Sequence, residues 1–136
     1  MTKKEYLRQG YRMRKEIRSE EDMLKELGEN LDGLQALQNS EKLQGGPIKD
    51  DRRIIEKIDK IIKIEEEIKI KLLSLKSFQA KLYQEIELIQ DLNQRILLKN
   101  RYIFNLTWEQ IAERLGYSMT QTHRIHRAAL GNFKFF

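Results

Sequence analysis

The chain has no cysteine, one proline and two histidines. Without cysteine there is no disulfide framework, no cysteine-ligated zinc ribbon and no thiol nucleophile, an absence that suits a reducing compartment. A single proline, Pro47, among abundant Ile, Leu and charged residues argues against a β-sandwich and suits long amphipathic helices. No apolar run approaches the length of a membrane span, and the opening MTKKEYLRQGYRMRKEIR holds charges throughout, with no apolar signal core. The expectation is a soluble intracellular protein, cytoplasmic, that does not engage a membrane.

What is present is charge, unevenly placed. The net charge is +5, and residues 91–136 hold seven bases against three acids. Nearly all the positive excess therefore lies in the last third, a polyanion-binding end on a charge-balanced stem.

Apolar residues recur at helical spacing from about Lys3 to Leu37 (Tyr6, Met13, Ile17, Leu24, Leu27, Leu31, Leu34), with Gly10, Gly28 and Gly33 each weakening that helix by roughly 1 kcal/mol relative to alanine. The pattern breaks at NSEKLQGGPIKDD, where Gly45, Gly46 and Pro47 predict a flexible link at about residues 39–50. A second helix is expected from Asp50 or Asp51. Its apolar positions Ile54, Ile61, Ile68, Leu75, Leu82 and Ile89 fall seven apart, a coiled-coil seam. The companion seam is mixed: Ile58, Glu65, Leu72, Gln79, Ile86, with Glu65 and Gln79 suited to fixing register or oligomeric state. Such a helix folds back on the first as a hairpin, pairs with another chain, or does both.

After Ile89 the character changes. Asp91–Gln94, Thr107–Gln110 and Ser118–Gln121 each set a small oxygen-bearing residue three before glutamine, the capping-box pattern. They predict helices over 92–103, 108–115 and 119–130. Only Gly116-Tyr117-Ser118 separates the last two, a helix-turn-helix spacing in which Gly116 takes the left-handed conformation. Helical period turns Ile111, Ala112 and Leu115 inward from one helix and Thr122, Ile125 and Ala129 from the next. Trp108 is expected to close the unit against Tyr102 and Leu106, and Gly131 to end the last helix.

The outward residues of 119–130 are Met119, Thr120, Gln121, His123, Arg124 and Arg127. Arginines with small hydrogen-bonding groups fit a helix in the DNA major groove: Arg124 forking onto guanine, Thr120 at a base edge or thymine methyl, Gln121, His123 and Arg127 toward phosphates. The bland alternative is a solvated basic face. A metal site is disfavoured, because a helical histidine pair for zinc is usually four apart and needs a third ligand. His126 leans inward, about 40° from Thr122 around the helix. No nucleophile, acid pair or glycine-rich phosphate loop can be assembled. The chain reads as a non-enzyme without cofactor.

These residues carry a resemblance. RILLKNRYIFNLTWEQIAERLGYSMTQTHRIHRAAL, residues 95–130, resembles the region 4 helix-turn-helix of sigma-70 factors. Tryptophan at 108, "YS" at 117–118 and "RIHRAAL" look more closely like the RinA/ArpU-type late transcriptional regulators of Gram-positive phages, whose helical N-terminal portion, Gly/Pro-bearing link and second long helix this chain loosely parallels. The resemblance implies a phage or prophage regulator that activates late genes. It implies base contacts for Met119, Thr120 and Arg124 and backbone contacts for Gln121 and His123. Met119 stands where arginine is frequent, and Thr122 where valine or isoleucine is usual. Nothing matches the part of a sigma factor that melts the −10 element.

The expected architecture is all-α. A hairpin or coiled-coil stem fills residues 1–90, and a three-helix, sigma region 4-like DNA-binding domain fills 91–136. The expected partners are double-stranded DNA, a second copy of the chain through the stem, and RNA polymerase. In the competing view the chain is a coiled-coil adaptor on RNA polymerase or another protein, without a DNA site of its own. Phe133, Phe135 and Phe136 then either cap the core or meet the partner.

Overall fold

Thr2, Asp91, Thr107 and Ser118 set where four of the helices begin. Each is extended in backbone, and each side-chain oxygen accepts the amide three residues on. The computed structural model describes the backbone of residues 1–43 and 51–136, and the side chains of all of these except residues 32, 34–43 and 51. Every regular element among them is a helix: α1 (Lys3–Leu7), α2 (Gln9–Leu43), α3 (Asp51–Glu87), α4 (Leu92–Tyr102), α5 (Trp108–Leu115) and α6 (Met119–Asn132). The protein is all-α, as its composition requires.

Three boundaries differ from expectation. The first helix is interrupted at Arg8, which caps α1 in a near-helical conformation before α2 resumes, so that Arg12 N–H still reaches the Arg8 carbonyl at 3.1 Å. α2 continues to Leu43, past residue 39 where the link was expected. Gly45, Gly46 and Pro47 lie outside the described residues, as does the Leu34 side chain. α6 runs through Gly131, which keeps a negative φ, and ends at Asn132. A glycine stops a helix only when it adopts the left-handed conformation, and here the chain leaves through Phe133 in an extended one.

The chain divides into two compact units, Met1–Arg14 with Ser74–Phe136, and Lys15–Leu73. The boundary expected at residue 90 falls inside the first. In the second, Ile17, Leu27 and Ile68 are buried, and the Lys71 ammonium pairs with Glu20 at 2.8 Å and Glu16 at 3.0 Å. Those pairs, Glu20 first, hold the lysine pKa above its usual value.

The heptad seam of α3 turns inward along its whole length, half-buried at Ile54 and Ile61 and buried from Ile68 onward. The companion seam does not: Ile58, Glu65 and Leu72 are exposed, and only Ile86 is fully buried. The Gln79 amide donates to the Ile103 carbonyl at the end of α4. Within one chain the stem helix therefore packs along one row, and its companion row is left exposed at Ile58, Glu65 and Leu72.

The first unit has the principal core. Tyr6 and Leu7 of α1, Leu82, Ile86 and Ile89, Leu97, Leu98 and Tyr102 of α4, Ile111, Ala129 and Phe133 form one buried cluster. Within it α1 and the start of α2 run antiparallel to the end of α3, Tyr6 meeting Glu85 and Gly10 meeting Phe78. Gly10 has a steric reason. A Cβ there would stand 3.3 Å from the Phe78 ring and 3.5 Å from the Tyr102 carbonyl, whereas Gly28 and Gly33 face open space.

The aromatic tail closes this core. Phe133 is fully buried, and Phe135 stacks on Tyr6 with ring centroids 4.2 Å apart, leaving the Phe136 side chain exposed. The buried Glu85 carboxylate is satisfied from both ends of the chain, by the Tyr6 hydroxyl and by the Phe136 amide at 2.8 Å. Burial first, and Glu85 second, raise the Tyr6 pKa well above its ordinary value. A carboxylate in an apolar core is tolerable only when hydrogen-bonded in this way.

Candidate nucleic-acid interface

α4, α5 and α6 pack pairwise on one another, and the outer side of α6 is left uncovered. Its start is fixed from both directions. Gly116, at φ 73°, ends α5: its N–H bonds the Glu113 carbonyl, and Tyr117 N–H reaches Ala112 at 3.1 Å. This pair is a Schellman closure, which terminates one helix and turns the chain within a residue. Ser118 then caps α6 through the Gln121 amide at 3.1 Å. Of the three expected capping boxes only Thr107–Gln110 closes reciprocally. Gln94 instead accepts from Asn132 Nδ2 at 2.9 Å, tying the start of α4 to the end of α6.

Thr122 and Ala129 are fully buried and Ile125 is half-buried, so period alone placed the inner row correctly. A buried threonine needs a partner for its hydroxyl, and Thr122 Oγ1 donates to the Ser118 carbonyl at 2.8 Å, one turn back. That bond explains how threonine occupies a position suited to valine. Met119, Thr120, Gln121, His123, Arg124 and Arg127 are all exposed. The structure thus brings every expected contact residue to the uncovered side of one helix.

The two histidines are occupied by Trp108. Its ring lies 4.7 Å from that of His123 and 4.6 Å from that of His126, with the Arg101 guanidinium 4.6 Å over it. Tyr102 joins through His126, whose Nε2 shares a 2.7 Å hydrogen bond with the phenol oxygen. Trp108 therefore links α4, α5 and α6 through the imidazoles and Arg101, and packs against the core cluster that holds Tyr102. Burial, followed by Lys4, His123, Arg101 and Arg8 in that order, lowers the His126 pKa from 6.5 to about 4. It is a neutral packing residue at pH 7. Burial likewise raises the pKa of Tyr102.

The positive excess of the last third is partly consumed by the fold. Arg95 caps the Ile89 and Gln90 carbonyls at 2.6 and 2.8 Å, Lys99 pairs with Glu87, and Arg114 reaches Asn100. Arg124 and Arg127 have no anionic partner among the described residues. Arg124 also lines a groove with Gln121, Tyr117, Asp91 and Gln94 between α6 and the start of α4. Sequence reasoning missed Lys4 and Arg8, which the fold brings close enough to His126 to act on it electrostatically. Their four-residue spacing was visible, but nothing local ties residue 4 to residue 126. No family model, curated protein or solved structure matches this chain.

Proposed function

We propose that the protein is a DNA-binding transcriptional regulator of a phage or prophage, an activator of late genes, with α6 lying in the major groove. The observation that carries this reading is the asymmetry of α6. One side is anchored by Thr122 and Ala129, and the other exposes Met119, Thr120, Gln121, His123, Arg124 and Arg127 together, with two arginines unneutralised by any described carboxylate. In this reading Arg124, near the start of the helix, forks onto guanine while Thr120 and Met119 meet neighbouring base edges. Gln121, His123 and Arg127 take phosphates. The resemblance of residues 95–130 to sigma region 4 and to RinA/ArpU-type regulators points the same way.

A short helix with so few base contacts binds tightly only when two copies act together. Ile55, Ile58 and Ile62, at successive turns of α3 and 56%, 37% and 48% exposed, are the surface we assign to a second copy. The same row favours the second reading, in which the stem docks on RNA polymerase or another protein and the chain is an adaptor.

The test is a salt series of binding measurements on duplexes from upstream of phage late genes, beside random duplex. The wild type is expected to prefer the upstream duplex. R124A and R127A weaken binding, and R124A also relaxes the preference. Affinity no higher than for random duplex replaces this reading with the adaptor. Light scattering on the wild type and on I58E reports the oligomer.

A further inference from the structure

Half of the bases of the first unit are engaged in holding it together. Lys3 Nζ donates to the Leu130 and Gly131 carbonyls at 2.9 and 3.3 Å, Arg14 to Ile103 at 3.0 Å, and Arg101 to Leu106 at 3.0 Å. The Lys3 bonds matter most here. They complete the open carbonyls at the end of α6 and in doing so fasten α1 beside that helix. Tyr6 and Leu7 are buried, which leaves Lys4 and Arg8, one turn apart, on the exposed side of α1.

Neither Lys4 nor Arg8 has a carboxylate partner among the described residues. The nearest acid in sequence, Glu5, is turned back onto the Thr2 amide at 3.1 Å. Arg101 is brought toward Arg8 by the approach of Gly10 to the Tyr102 carbonyl, 3.5 Å from where a Cβ would stand. Its guanidinium is held flat over Trp108 and spends one N–H on Leu106, leaving donors of its fork unassigned. Through Trp108 it is one ring away from His123, on the uncovered side of α6.

We propose that Lys4, Arg8 and Arg101 form a phosphate-binding ledge beside α6, so that α1 is part of the DNA interface. This rests on the reading of α6 as the DNA-contacting helix. Three cations gathered without counter-charges repel one another and weaken the fold locally. Phosphates of a duplex seated on α6 supply the missing negative charge. The positive field is felt within the protein: Lys4, Arg101 and Arg8 all act on His126 to disfavour its protonated form. The partner is the sugar–phosphate backbone flanking the groove that α6 enters. Such contacts fix orientation and add affinity without reading sequence.

The test uses the full chain and a random-sequence duplex, with affinity followed across a salt series by fluorescence anisotropy. Lys4 and Arg8 are exposed, so K4Q/R8Q folds as the wild type does, which circular dichroism checks. Each lost phosphate contact lowers the slope of log K against log[salt] by about 0.9. The double variant is therefore expected to lose between about one and two units of slope, and to weaken binding equally on any sequence. K4R/R8K, which keeps the charges, retains the wild-type slope. R101Q, in a half-buried position, is read against R101K in the same way. A K4Q/R8Q slope equal to wild type, with R124A and R127A still weakened, overturns the ledge and leaves the reading of α6 standing. No measurable binding by the wild type overturns both.

Discussion

The Tyr102 hydroxyl and the His126 imidazole, 24 residues apart in sequence, share a 2.7 Å hydrogen bond beneath the Trp108 ring. The bond joins α4 to α6. In the folded chain the His126 pKa is depressed from 6.5 to about 4, burial being the largest cause. Between those values the unfolded chain binds the extra proton. The contribution of this group is therefore complete above about pH 6.5 and declines as pH falls toward 4. Urea midpoints of wild type and H126Q should converge over that window. A difference that stays constant from pH 7.5 to 4 removes His126 as the cause.

Glycines in the first long helix should answer alanine substitution differently. Gly33 faces open space, so Gly33→Ala gains helix propensity, about 1 kcal/mol. Gly10→Ala gains the same propensity but presses on Phe78, and the net change should be close to zero. Gly10→Leu has no room and should destabilise by several kcal/mol, roughly the upper range for overpacking. Equal melting-temperature gains for the two alanine variants would contradict the close approach at Gly10.

Thr122→Val removes a hydroxyl whose one bond among the described residues is to the cap of its own helix, at the Ser118 carbonyl. Because that bond replaces no tertiary contact, the substitution should be neutral or stabilising by up to about 1 kcal/mol. A loss of more than about 2 kcal/mol in chemical denaturation would mean that the hydroxyl serves another partner.

The aromatic tail divides sharply. Phe133→Ala should cost about 3–5 kcal/mol, because the ring is fully buried among α1, α3, α4 and α6 residues. Phe136→Ala should change stability little, since that side chain is 77% exposed and the backbone makes the bonds to Glu85 and Lys81. Thermal unfolding of the two variants side by side checks both.

What the sequence made legible was local. Asp91, Thr107 and Ser118 announced three helix starts because a cap needs only its own next three residues. Gly116 announced the turn for a similar reason. The inner row of α6 followed from period, and the first heptad seam of α3 likewise. What stayed hidden was long-range. The α3 companion seam reads as half of a coiled coil, but within one chain Ile58 and Leu72 are exposed, and which row a chain covers with its own residues was not legible from the repeat. Gln79 looked like a register residue and is a donor to Ile103. Gly131 looked like a stop, but its conformation is helical and the capping role falls to Lys3 from the other end of the chain. Lys4 and Arg8 entered the candidate interface only through that same fastening.

The bond from Lys3 to Leu130 spans 127 positions, and this gives the protein an order of events during synthesis. α1 leaves the ribosome before α6 and must wait for it, a delay of roughly 6–25 s at usual elongation rates. Until then Tyr6 and Leu7 have no complete core to enter, and Glu85 lacks the Phe136 amide. The face that α6 carries is therefore assembled only after residues 130–136 have emerged, and a nascent chain stalled before residue 130 presents neither a closed core nor an assembled face.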